Sequence, residues 1–431
     1  MFKRFVLELY SSFIGVLLGA LVRMIPKKHA LLIWGPTPIL NNKYWSVAVK
    51  GLGYESITLM QTFYPSINKR TDFDMYFGDC VPKWIAPGFL RKFFLSYKRY
   101  FAFFYIIRNA RVLHLPFSGG PLGKKSYWRI EAGLYRKAGI KLVLIPYGAD
   151  AYVYSRVMDP SARNGLLISY PEAARNEARI RRQVEHWTRH ADIVISGLMI
   201  DGMGRWDCPV FNPICIDTTQ WTPKEDYSGS DGGDGVVRVL HTPNHRGAKG
   251  TEFLVQAVEE LREEGLNVEL VMVEKVPNDQ VRILMQEVDI LAEQHILIGY
   301  ALSAIEGMAS GLPVMSNLEN KVYTQVFRRY SYLDECPILS SSPEIIKENL
   351  RLLVKDPGLR RRLGRAGREY VEKYHSYRTA QYLFGSIYDK ILKGKSVDLM
   401  NLFHPLKSSY NSERSQVRHG LVCNRILTMA E

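Results

Sequence analysis

Two cations three residues apart, Arg246 and Lys249, stand in the run HTPNHRGAKGTEFLVQAVEEL that covers residues 241–261. The residues just before it, Val236 to Leu240, are short and β-branched, while Phe253, Leu254, Ala257, Val258 and Leu261 recur at the spacing of an amphipathic helix. The loop therefore joins a strand to a helix start, where unpaired backbone N–H groups and the helix dipole favour an anion. A phosphate suits this chemistry, with Asn244 in the same loop as a further polar contact. The alternative is a pair of solvated loop cations.

A second element of the same kind follows in LIGYALSAIEGMASGLPVM, residues 297–315. Its Gly299-Tyr300-Ala301 turn opens a helix whose amides suit another part of an anion. Glu306 lies in that helix among Ala304, Ile305, Met308 and Ala309, where a carboxylate is costly unless it accepts hydrogen bonds. Sugar hydroxyls are fitting donors; an exposed helix residue is the alternative. In the first half of the chain, GPTPILNN with Gly35, a candidate binding residue for the same ligand, and IPYGADAY with Asp150 fall at strand ends expected to face the cleft. Asp150 is a candidate for orienting a substrate, or a carboxylate serving its own turn. No metal cluster is evident: Asp72-Phe73-Asp74 is acidic-x-acidic but follows no strand. Gly202-Met203-Gly204 lacks the third glycine of a dinucleotide fingerprint, which argues against an NAD enzyme.

These residues need elements to carry them, and strands alternate with helices along most of the chain. HALLIW (29–34), SITLM (56–60), ARVLHL (110–115), KLVLIP (141–146) and DIVIS (192–196) form one series. After a polar, proline-bearing stretch and the spacer SGSDGGDG, flexible by composition, a second series runs through VVRVL, VELVMV, DILAEQ and LPVMS. Continuous apolar strands in this alternation predict an α/β fold: two Rossmann-like, doubly wound domains facing across a cleft, with ligands at the carboxyl ends of the strands. The expected boundaries are an amino-terminal helix over 1–27, a first domain over 28–212, a linker over 213–235, a second domain over 236–375, a helix over 376–392 returning towards the first domain, and a disordered tail over 393–431. Arg360, Arg361, Arg362, Arg365 and Arg368 read as a solvated helix face.

Composition bounds the partners. The 431 residues carry 57 Lys and Arg against 43 Asp and Glu, a net charge of +14 that suits an acidic membrane surface or phosphate-bearing substrates. The basic HRGAKG loop has no interleaved aromatics, so nucleic acid is not expected as a partner. Five scattered cysteines without a C-x-x-C pair indicate neither a disulfide framework nor a zinc site. From Phe5 to Ile25 the chain is apolar apart from Glu8 and Arg23 and is flanked by lysines and an arginine, the pattern of a helix lying in or on a membrane. A core helix capping the first domain is the alternative.

Taken together, HRGAKGTEFLVQAVEEL, IEGMASGLPV and the closing run from Lys355 to Leu392 resemble the retaining glycosyltransferases of family 4, which have the GT-B fold. The similarity covers most of residues 210–392. It implies that Arg246 and Lys249 neutralise the donor diphosphate and act catalytically with Asp150. It further implies that Glu306 binds the nucleotide ribose and that Gly299, Tyr300 and Ala301 stand where the family has glycine, phenylalanine and glycine. Ile298 occupies the place of the family's first glutamate, and Glu293 or Gln294 is positioned to substitute. No cofactor is implied beyond a nucleotide diphosphate sugar as donor. The expected activity is metal-independent transfer of a sugar, with retention, to a polysaccharide or lipid-linked acceptor at the cytoplasmic face of a membrane. A non-catalytic GT-B scaffold and a nucleotide-sugar epimerase are the alternatives. Lys249→Ala and Glu306→Ala are expected to reduce turnover with little loss of folding.

Overall fold

The computed structural model describes residues 15–65, 68–84, 88–123, 127–198, 200–274 and 276–426. The first fourteen residues of the expected membrane-associating segment lie outside them. Two compact units result: Met1–Val153 with Asn176–Cys208 and Gln381–Leu399, and Tyr154–Arg175 with Pro209–Ala380 and Met400–Glu431.

The first unit is built on six strands, β1 (Leu31–Trp34), β2 (Ser56–Met60), β3 (Met75–Tyr76), β4 (Ala110–Leu115), β5 (Lys141–Leu144) and β6 (Ile193–Val194), all parallel in the order β3-β2-β1-β4-β5-β6. A helix over residues 15–24 (α1), α2 (Leu40–Lys50), α3 (Phe89–Ser96), α4 (Lys98–Asn109) and α5 (Trp128–Lys137) belong to it. The strands read as unbroken apolar runs because helices cover the sheet, and Leu32, Ile33, Trp34, Leu113 and Leu144 are almost fully buried. His114 inside β4 lies flat on Trp34, ring centroids 3.5 Å apart. Burial lowers its imidazole to about 3, so the ring is neutral and packs as a core group.

The α1 helix buries Leu18 and Val22 in this core while exposing Val16, Leu17, Leu21 and Met24. The described part of the amino-terminal segment is thus both a domain-capping helix and an apolar outer surface. Among the described residues no helix is long and apolar enough to cross a membrane.

The segment after β5 leaves the first unit. Helices α6 (Pro160–Ser169) and α7 (Pro171–Arg175) belong to the second, and α8 (Glu177–His190) returns to the first. The expected continuous domain over 28–212 is therefore interrupted, because nothing in the periodicity of α6 distinguishes which core it packs on.

The second unit holds five parallel strands, β7 (Val237–His241), β8 (Val268–Met272), β9 (Ile290–Ile298), β10 (Val314–Asn317) and β11 (Leu339–Ser340), in the order β11-β10-β9-β7-β8. Its helices are α9 (Arg246–Lys249), α10 (Thr251–Glu263), α11 (Asn278–Glu287), α12 (Leu302–Ala309), α13 (Lys321–Tyr330), α14 (Ile346–Lys355) and α15 (Pro357–Tyr374). The helix α16 (Tyr377–Lys393) starts in this unit and ends as part of the first.

Three expectations need correction. The 228–235 spacer is fastened, since Arg360, only 2% exposed, donates to the carbonyls of Ser228, Ser230, Leu353 and Val354. Arg368 likewise donates to the Thr218, Trp221 and Ala309 carbonyls, so two members of the arginine cluster are helix-anchored braces and not a solvated face. The tail is ordered as far as residue 426: Phe403 and Tyr410 are buried, and the Asn424 amide donates to the carbonyls of Cys336 and Ile338. Such backbone-directed polar side chains leave no period for sequence reading to detect.

Candidate functional site

Both sheets reverse strand order at one point, and in open parallel sheets ligands gather at the carboxyl ends of the strands flanking that point. In the second unit the reversal lies between β7 and β9. The β7 strand ends at His241 and leads into α9, whereas β9 ends at Ile298 and leads through Gly299 into α12. The two motifs are therefore brought together as the sequence implies.

The basic loop has a shape that periodicity does not reveal. Arg246–Lys249 close one helical turn, α9, and Gly250 at φ 72 breaks it before α10 begins. A Cβ on Gly250 would stand 3.1 Å from His295 and Ile296, so both its backbone angle and its neighbours require glycine. His241 fixes the strand end: its Nδ1–H donates to the Ala292 carbonyl at 2.7 Å, and Nε2 accepts from Thr251 at 2.9 Å. Burial lowers this imidazole to about 4, which keeps the accepting nitrogen bare.

Lys249 is buried, and its ammonium donates to Glu293 at 2.5 Å and to Gln294 at 2.9 Å. Glu293 in turn accepts from the Ala301 amide at 3.3 Å and from the hydroxyls of Ser303 and Ser316. The amino end of α12, where Ala301 was expected to meet a ligand, thus already faces a carboxylate of the chain itself. The Gly299 amide donates to the Asn317 carbonyl. Tyr300 turns inward, its hydroxyl 2.8 Å from that of Tyr370 and 2.9 Å from Nε2 of His375, so its side chain belongs to the core. Gln294 donates to the Gly299 carbonyl at 3.0 Å and braces the same turn.

Arg246 differs from Lys249 in kind. Its side chain is 41% exposed and pairs with Glu252 and Glu274 at the surface. Asn244 is exposed in the loop before it. Surface pairs of this sort are screened and exchange readily with a stronger anion. The amide of Ala248 donates to the Ser169 hydroxyl of α6 at 3.1 Å, a contact that no sequence pattern announces.

Glu306 is 2% exposed and accepts from the Asn278 side chain at 2.8 Å. Burial pushes its carboxyl up to about 8, against the single amide that favours the charged form. One side-chain donor leaves it able to accept more, and two hydroxyl donors would suit it. Sequence reasoning missed Asn278; its place as the first residue of α11 after Pro277 is the one available signal.

The remaining candidates lie in the first unit. Asp150 accepts from the amides of Phe117 at 2.8 Å and Tyr147 at 3.0 Å, tying the β4 and β5 loops together. Loss of water raises its carboxyl to about 6, opposed by those backbone donors. The turn-serving alternative is what this geometry displays. Gly35 closes β1 where a Cβ would stand 2.2 Å from the Leu59 carbonyl, so its role is close approach of backbone. Asp72 pairs with Lys43, and Asp74 accepts from Thr58, which accounts for both acids structurally.

No protein-family model and no curated protein matches the chain. Among solved structures it is similar to a sucrose-phosphate synthase from Thermosynechococcus elongatus, with a TM-score of 0.53 at 13% identity over 85% of this chain and 100% of that one. A glycosyltransferase from Rickettsia africae ESF-5 aligns with a TM-score of 0.49 at 12% identity, covering 85% and 100% of the two chains. At such identities the likeness is one of fold, and with two Rossmann-like parallel-sheet units the fold is that of the GT-B glycosyltransferases.

Proposed function

We propose that this chain is a glycosyltransferase that moves a sugar from a nucleotide diphosphate sugar to a polysaccharide or lipid-linked acceptor. The observation that carries the reading is Glu306, a buried carboxyl with a single side-chain donor, on the helix that follows β9 at the strand reversal. A ribose offers two adjacent hydroxyls to such a group. Arg246 and Lys249 lie across the same reversal and supply positive charge to a departing diphosphate, in place of a metal. Fixed cations near a developing oxyanion stabilise it more than mobile water does, because no reorganisation is needed during reaction.

The diphosphate must compete with Glu252 and Glu274 for Arg246, an exchange at the surface, and with Glu293 for Lys249, an exchange in the interior. The first is easy and the second is coupled to release of Glu293 towards the sugar, the role left open by Ile298. Retention of configuration follows the resemblance to family 4. Membrane association at the cytoplasmic face is supported by the exposed apolar side of α1 and by the net charge of +14.

One observation favours a second reading. Glu293 already neutralises Lys249 and meets the amino end of α12, as in a donor site no longer used by a scaffold protein. Incubation with a panel of nucleotide sugars separates the two. The transferase releases nucleoside diphosphate and is stabilised against heat by that product. Neither release nor stabilisation by any member of the panel would refute it.

A further inference from the structure

The first unit contains a cavity of about 240 Å³ separate from Asp150 and from the second unit's motifs. It lies at the carboxyl ends of β1, β2 and β4, with Thr37 after β1, Gln61 after β2 and Gly119 in the loop after β4. The strand order of this sheet reverses between β1 and β4, so the cavity occupies the place where an open parallel sheet receives ligands.

Its charge is one-sided. Lys98 and Arg99, at the start of α4, and Arg179 on α8 line it, and no acidic residue does among the described residues. No described carboxylate pairs with Lys98, Arg99 or Arg179, in contrast to Arg246 and Lys249 of the second unit. Hydrogen bonds tie the loop beneath to α5. Glu131, fully buried, accepts from the amides of Gly120 at 3.2 Å and Leu122 at 3.0 Å and from the Tyr135 hydroxyl at 2.8 Å. Arg179 donates to the Gly123 carbonyl at 3.1 Å, which fixes one edge of its guanidinium and leaves a fork suited to an oxyanion. Three cations line the hollow, Arg179 exposed and Lys98 and Arg99 half-buried, and their summed field favours an anion there.

We infer that this cavity binds the phosphate of a phosphorylated ligand through Lys98, Arg99 and Arg179. Its volume lies below the roughly 300–1,000 Å³ of pockets that enclose a whole drug-sized molecule, which fits a phosphate head group with part of its substituent. The binding itself stands apart from the transferase reading; only the ligand's role as sugar acceptor rests on it. Two sources offer the same chemistry. One is a soluble sugar phosphate. The other is a lipid phosphate, for which the preceding helix α3 exposes Phe89, Leu90 and Phe93.

The test titrates the full chain with glucose 1-phosphate by calorimetry, and in parallel with phosphatidylcholine vesicles with and without a polyprenyl phosphate. Saturable binding to one probe is expected, weakened at least about tenfold by Lys98→Ala with Arg99→Ala, since two charge-assisted hydrogen bonds are removed. Arg179→Gln, on a different helix, should weaken it independently. Binding of glucose 1-phosphate identifies the soluble source, and binding only to vesicles bearing the phosphate lipid identifies the other. No binding of either probe, or equal binding by parent and variants, would overturn the inference. UDP affinity measured on the same variants should be unchanged. If no nucleoside diphosphate of the panel binds to any of the proteins while phosphate binding behaves as expected, the transferase reading fails and the phosphate site stands.

Discussion

Glu306→Gln offers a perturbation whose sign can be worked out beforehand. The carboxyl titrates near 4.5 in an unfolded chain and at about 8 in the folded one, because burial penalises the charged form. A raised folded pKa means that the stability contributed by the protonated group is complete below the unfolded value. It is lost as pH rises and is gone once pH passes the folded value. Between about pH 5 and about pH 9 this loss amounts to about 4 kcal/mol. Glutamine keeps the Asn278 hydrogen bond and has no proton to lose, so the variant's advantage over the parent should widen by that amount from near pH 5 to near pH 9. For a unit of this size each kcal/mol moves the melting temperature by roughly 2–4 °C, which predicts a gap of about 10 °C at the alkaline end. The assay is a series of melting curves for parent and variant across that range. Glu131 and Asp150, raised to about 7 and about 6, titrate in the same window but are common to both proteins and cancel in the difference. At about pH 9, where the parent carboxyl is ionised, the same variant should bind UDP at least about tenfold more weakly, because an amide cannot accept two ribose hydroxyls as a carboxylate does. Parallel pH curves for the two proteins would refute the argument.

Two further outcomes follow from buried cations. Lys249→Ala leaves the Glu293 carboxylate, 1% exposed, without its ammonium, and should cost about 3–5 kcal/mol in urea unfolding besides abolishing turnover. This corrects the expectation that the substitution spares folding, and Glu293→Gln in the same chain should restore most of the stability without restoring activity. Arg360→Ala removes the donor to four carbonyls and should lower the urea midpoint by the equivalent of about 3 kcal/mol while leaving UDP affinity unchanged.

The elements that carry the candidate site were legible because their signals are local. Val237–His241 and the start of β9 are buried strands with β-branched or apolar runs, and α10 and α12 follow them at the spacing a parallel sheet demands, whereas the continuation of β9 past Gln294 through His295 to Ile298 was not read. The α9 turn was not legible, since a helix of four residues closed by a left-handed glycine is too short for any period. Nor was the inward turn of Tyr300, whose partners Tyr370 and His375 stand 70 and 75 residues away along the chain.

Side-chain pairing across the unit was likewise invisible. Glu293 and Lys249 stand 44 residues apart, and only closure of β7 against β9 makes them an ion pair. The same holds for Ser169 on the Ala248 amide and for the three cations around the first unit's cavity.

The sequence by itself determined the two series of parallel strands, the basic strand-to-helix loop and the carboxyl in the helix after β9, because strand burial, glycine turns and helical spacing are properties of neighbouring residues. Tertiary structure alone decided which of those charges are already neutralised, which arginines brace backbone carbonyls, and where an uncompensated cationic hollow lies. Burial and electrostatic pairing depend on distance in space, and that distance is set by how the sheet orders its strands.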